Sequence, residues 1–206
     1  MRTAWKFLNM NNGTIVSKFD GSQWEIGTWR INNPPKQLCN GFNCSKLVKD
    51  ALGYVNGTVF AKVEYDGKSI KSSDKITVEK MRIVKAWKWD QAASVKMAIF
   101  SARMVLGIFE KKYPYDKRPR KAIESAEAWI KNPSASASAA YAAANAYAAA
   151  YASADNSAAA AYSYAAANAA NAANAAEIKG KKRLTTQAAI NRYVTKKLIL
   201  ELEEIK

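Results

Sequence analysis

Histidine is absent from this chain of 206 residues, cysteine occurs twice, proline five times and glycine nine times, and 17 acidic side chains face 32 basic ones. Without imidazole there is no Ser-His-Asp triad, no histidine metal ligand and no imidazole acid–base pair. A zinc site would need carboxylates or a second subunit. No G-x-x-x-x-G-K-[ST] loop and no G-x-G-x-x-G fingerprint occurs, so the common phosphate-cradling motifs are missing. No run of about 18 strongly apolar residues is present, which argues against a membrane span, and MRTAWKFLNMNN lacks the apolar stretch of a signal peptide. Cys39 and Cys44 lie five apart in LCNGFNCS, a spacing open to a disulfide, a half-built metal site or two thiols. Reduced thiols in a cytoplasmic protein are the expectation. The carboxylates offer no catalytic pair: Glu124 and Glu127 are three apart on a helical pattern among basic neighbours, and Glu64, Asp66 and Asp74 form the acidic group of the first ninety residues. A cysteine nucleophile would have to use a lysine as its base. The chain is therefore expected not to be an enzyme, and no cofactor or metal is implied.

What is present is positive charge, tryptophan and alanine. The net charge of +15 is spread unevenly, with 15 basic against 8 acidic residues over 1–90, 9 against 4 over 91–133, and 8 against 5 in the remainder. Such a field favours nucleic acid, an acidic protein surface or anionic lipid. In KAWKW, lysines interleave with aromatics, a pattern that could stack bases while contacting phosphates; the preferred reading makes Trp5, Trp24, Trp29, Trp87 and Trp89 anchors of a small sheet. Lys85, Trp87, Lys88 and Trp89, with Lys117, Arg118, Arg120 and Lys121 in the proline-flanked link KRPRK, are the candidate binding residues.

Periodicity divides the chain near residue 90. TAWKFL, TIVSKF and GTVFAKVEYDG alternate as strands do. NMNNG supplies turn residues, and QWEIGTWRI reads as a strand kinked at Gly27. DKITVEKMRIVKAWKW reads as one bent strand or a strand pair. SKLVKDALGYV carries a helical stripe, with Ser45 as a plausible N-cap. Beyond residue 90, QAASVKMAIFSARMVLGIFEKKY and RKAIESAEAWIKN repeat apolar residues at three to four, with Pro114 and Pro119 as stops. TTQAAINRYVTKKLILELEEIK continues the helical period to Leu202. Between them, alanine makes up 26 of the 42 residues from Ala135 to Ala176, and Asp155 carries the one charge. YAAANA recurs at 141–146 and 164–169, with SADNS between, which predicts a helical hairpin that something must cover. The absence of threonine from this stretch argues against an ice-binding face. The expected fold is α+β: a small mixed or antiparallel sheet with one helix over 1–90, then an all-α helical bundle with an alanine-rich hairpin over 91–206.

Two resemblances extend this reading. The segments WKFL, LCNGFNCS, ALGYVNG, VEYDGK and MRIVKAWKW, spanning about 3–89, resemble a family of small phage-encoded domains of unknown function. Members of that family carry histidine where Asn43 stands. The run IFEKKYPYDKRPRKAIESAEAWIK with the alanine-rich stretch, about 96–176, is similar to immunity-protein-like helical domains. The resemblance implies binding rather than catalysis. The resulting expectation is a phage or mobile-element protein acting in the host cell cytoplasm. It would inhibit a defence system, such as a CRISPR effector, by docking its basic surface on a host defence protein or ribonucleoprotein. Direct nucleic-acid binding in phage replication or packaging is the first alternative, and a transferase-like enzyme the second. Self-association through the alanine-rich helices is a further expectation, and a membrane partner is not expected.

Overall fold

The computed structural model describes residues 1–52, 57–112, 114–132 and 188–206. The chain forms two compact units, one made of Met1–Asp90 with Thr195–Lys206, the other of Gln91–Val194.

The first unit is a sheet in which every ladder between named strands is antiparallel. β1 (Arg2–Asn11) turns into β2 (Thr14–Val16), which pairs with β3 (Gln23–Trp24). Asn12 and Gly13 both hold positive φ, 47° and 79°, the Asn-Gly chemistry that a two-residue hairpin turn requires. The two long strands, β6 (Val59–Lys71) and β7 (Ile76–Lys88), form a hairpin, and β6 also pairs with β1. Along its other edge β7 receives β5 (Phe42–Cys44) beside Ile76–Val78, β4 (Arg30–Ile31) beside Lys80 and Met81, and β8 (Glu204–Ile205) beside Ala86 and Trp87. A single parallel bridge joins Ile26 to Ile83 between β4 and β8. Short segments thus cover successive stretches of an edge that would otherwise expose unpaired backbone groups.

Alternation along the strands sorts the side chains. Ala4, Leu8, Val59, Ala61, Val63, Met81, Ile83 and Ala86 form an aliphatic core with Trp24 and Cys44. The alternate positions Trp5, Phe7, Phe60 and Trp87 form an aromatic cluster with Trp89. Phe60 lies at its centre, stacked on Trp5 at 5.0 Å and set 4.9 Å from Phe7 and 5.4 Å from Trp89. α1 (Val48–Leu52) follows β5. Ser45 does not cap it, because Ser45 exchanges both backbone hydrogen bonds with Trp5, and the first helical carbonyl belongs to Leu47.

In the second unit, α2 (Gln91–Lys112) and α3 (Arg118–Lys131) pair through Val95, Ala126 and Trp129, and again through Ala102, Leu106 and Ile123. Arg103 bonds Glu127 across the pair at 2.6 Å. Residues 188–193 of this unit are helical, and a π-helical turn (Val194–Leu198) then leads into the three-residue α4 (Ile199–Glu201), which belongs to the first unit.

The expectation of a sheet followed by an all-α bundle is overturned. The described residues are dominated by an eight-stranded antiparallel sheet, and the C-terminal segment returns to it. The apolar period through Ile190, Val194 and Leu198 does mark helical turns, yet Leu202 is already extended (φ −88°, ψ 145°) and Glu204–Ile205 is a strand. Pairing with the open edge of β7 outweighs the helix propensity of ELEEIK. The alanine-rich hairpin expected over 135–176 lies outside the described residues.

Candidate functional site

KAWKW occupies the end of β7, and its parts have separate roles. Trp87 and Trp89 are buried, 6% and 5% exposed, with Trp87 6.2 Å from Phe60 and Trp89 edge-on to Phe7 at 5.2 Å. Lys85 reaches Glu204 at 3.1 Å and Lys88 reaches Glu203 at 2.7 Å. Both lysines therefore face carboxylates of the C-terminal segment, and the rings are core. In the second unit Lys117 precedes α3, Arg118 stands in its first turn, and Lys117, Arg120 and Lys121 are exposed. Arg120 makes a bidentate bond to Glu110, 2.7 Å on each oxygen. That bond holds the Glu110 carboxyl below its ordinary pKa and raises that of Arg120. The eight residues thus fall into two sets on different units, and Lys85, Lys88 and Arg120 have acidic partners.

LCNGFNCS is a structural device. Cys39 has φ 66° and gives its N–H to the Thr77 hydroxyl at 2.9 Å, and that hydroxyl donates to Asn43 Oδ1 at 2.7 Å. Gly41 has φ 152°, and a Cβ there would meet the Val78 carbonyl oxygen at 2.9 Å; only glycine lets the loop lie so close to β7. Phe42 packs edge-on to Trp24 at 5.2 Å. Lys6 reaches the Asn43 carbonyl at 2.8 Å, and burial pulls its ammonium below the usual lysine pKa. Burial pushes the Cys44 thiol up to about 12, which makes it inert at neutral pH. Both cysteines are free thiols, Cys39 exposed and Cys44 buried. Asn43 holds this loop against β7.

A cleft of about 490 Å³ opens beside that loop. Three segments build it: the start of β1 (Arg2, Thr3), the approach to α1 (Lys46, Leu47, Asp50), and the end of the β6–β7 hairpin (Lys71–Ile76), with Tyr65 between them. Four cations, Arg2, Lys46, Lys71 and Lys75, stand against two carboxylates, Asp50 and Asp74. Arg2 is fixed in place: its guanidinium lies 4.6 Å over the Tyr65 ring, donates to the Gly67 carbonyl at 2.9 Å, and is 3.9 Å from Asp66. Tyr65 is buried, and that burial raises its pKa. The Ser72 N–H bonds the Lys75 carbonyl at 2.9 Å and its hydroxyl bonds Asp74 at 2.8 Å, which shapes the hairpin end. Lys75 Nζ sits 3.2 Å from Cys39 Sγ. Lys46 and Lys71 are exposed on the rim. Chemically the cleft can hold an anion beside the half-buried aliphatic side chain of Leu47. Sequence reasoning missed it because its cations are scattered from residue 2 to residue 75, and the tight K-S-S-D-K turn was the one local signal.

Among the described residues, no group of three or more Cys, Asp or Glu is placed to hold a metal, and no helix is long and apolar enough to cross a membrane. A family model described as Imm-5 like putative immunity protein matches residues 65–179, more than half of the chain. A second, described as a domain of unknown function (DUF7666), matches residues 3–95. The immunity match therefore begins within β6, inside the sheet, rather than near residue 96, and the two matches share residues 65–95, the end of β6 and all of β7. No curated protein and no solved structure matches the chain.

Proposed function

The chain belongs to the Imm-5 like immunity family, and we propose that it is a non-catalytic binder that neutralises a protein effector by docking on it. The target class we infer is a host defence protein or ribonucleoprotein, met in the host cytoplasm by a protein that a phage or mobile element encodes. The net charge of +15 favours an acidic partner surface. The observation that carries a protein-directed reading is the state of KAWKW. Its two rings are packed against Phe60 and Phe7, and its two lysines are joined to Glu203 and Glu204. A single-strand binder needs accessible rings on which bases stack, and these rings are enclosed.

The test combines two arms. Tagged protein is used to capture partners from host lysate with and without nuclease, and purified protein is titrated with bare DNA and RNA across a salt series. Nuclease-resistant capture of one protein complex supports the reading. Loss of that capture on nuclease treatment, together with tight binding to bare nucleic acid and a steep salt slope, would replace it with the direct nucleic-acid reading.

A further inference from the structure

We propose that the cleft beside the β6–β7 hairpin is a recognition site for an acidic peptide segment of the partner, one that interleaves carboxylates with apolar side chains. The proposal rests on the protein-directed reading above and names what that partner presents. The chemistry of the walls selects the ligand. Arg2, Lys46, Lys71 and Lys75 come from three separate segments and converge on one opening, where half-buried Leu47 offers aliphatic surface while Tyr65 and Ile76 lie beneath the wall, each 4% exposed. A volume of about 490 Å³ accommodates a few side chains and falls in the ordinary range for ligand sites. Inorganic phosphate would pair with the exposed Lys46 and Lys71 but leave the apolar lining in water. A purely acidic strand would do the same. A peptide that alternates the two kinds of side chain satisfies both parts of the surface.

Preorganisation strengthens the case. Arg2 is held over Tyr65 and tied to Gly67, and the Ser72–Lys75 turn is braced by Ser72 and Asp74. These groups are ordered before a ligand arrives, so less conformational entropy is lost on binding. Lys46 and Lys71 lie exposed at the mouth, where they can close on carboxylates.

The experiment uses the full chain and a synthetic peptide, acetyl-Glu-Leu-Glu-Glu-Leu-Glu-amide, titrated by calorimetry at low salt. Glycine replaces both leucines in a second peptide of equal charge, and inorganic phosphate at matched ionic strength is a third ligand. The variants are Lys46→Glu with Lys71→Glu, and a charge-matched control at exposed sites away from the cleft, Lys18→Glu with Lys36→Glu. The proposal expects the leucine peptide to bind the wild type and the control alike, with at least a tenfold loss in the cleft variant. It expects the glycine peptide and phosphate to bind more weakly by a similar factor. Equal losses in both variants would mean that net charge alone attracts the peptide, and would overturn the proposal. Equal binding of the leucine and glycine peptides, or no binding of either to the wild type, would overturn it too. Circular dichroism of each variant confirms that folding is kept. A cleft that binds the peptide while nuclease abolishes partner capture would leave the site standing and remove the functional reading. The opposite pair of results would do the reverse.

Discussion

Replacing Trp87 by alanine discriminates sharply between a core tryptophan and a ligand-stacking one. Trp87 is 6% exposed, 6.2 Å from Phe60 and 6.4 Å from Trp5. Truncating a buried large aromatic costs about 3–5 kcal/mol, from lost transfer free energy and the cavity left behind. The ring contacts add about 0.5–1.5 kcal/mol of pairwise coupling each. For a chain of this length each kcal/mol lowers Tm by roughly 2–4 °C, so Trp87→Ala should melt roughly 6–20 °C below the wild type. Urea unfolding followed by far-ultraviolet circular dichroism measures the loss without depending on tryptophan emission. A double-mutant cycle with Phe60→Leu then isolates the ring–ring part, since residues in contact couple where distant ones add. If Trp87→Ala loses less than about 1 kcal/mol, as surface substitutions do, the ring is not core and the argument from its enclosure collapses.

Three further outcomes are expected. Reversing Glu203 and Glu204 to lysine removes two exposed ion pairs, each contributing at most about 1 kcal/mol. It should lower stability modestly and speed hydrogen exchange at the Lys88 amide, which donates to the Glu203 carbonyl at 2.9 Å; unchanged exchange there would show that β8 is held by something else. Asp20 accepts hydrogen bonds from Ser22 and Ser17 that lower its pKa to about 2 from an ordinary 3.8. A depressed folded value means that this stability is present above the unfolded pKa and is lost as pH falls through the folded one. The difference in stability between wild type and Asp20→Asn should therefore shrink between about pH 4 and pH 2, and a difference that stays constant over that window counts against those bonds. Of the two thiols, Cys39 should react with a disulfide reagent at neutral pH while Cys44 stays protected until the protein unfolds, and two equally fast reactions would contradict the burial of Cys44.

The strands were legible because their chemistry is local. Alternation in TAWKFL and VFAKVEY, and the Asn-Gly pair after β1, carry their own geometry. The same holds for α2 and α3, whose apolar repeats meet at Val95, Ala126 and Trp129. Two kinds of feature were not legible. ELEEIK has helical propensity, and only the open edge of β7 with Lys85 and Lys88 beside it converts its end to a strand. Ser45 looks like a cap in sequence, but its backbone is claimed by Trp5. The cleft was hidden for a related reason. Arg2, Lys46, Lys71 and Lys75 share no linear pattern, and the ladder that aligns β1 with β6 and β6 with β7 brings their segments to one opening. KAWKW is the converse case: a local pattern open to both packing and stacking, whose rings the fold uses for packing.

The central claim, a protein partner held through the cationic cleft, is tested most directly by one capture experiment in nuclease-treated host lysate. It compares the wild type, the cleft variant Lys46→Glu with Lys71→Glu, and the charge-matched Lys18→Glu with Lys36→Glu. The account predicts that one protein complex is retained by the wild type and the control and lost by the cleft variant. Retention by all three, or loss from the nuclease-treated wild type, would contradict it.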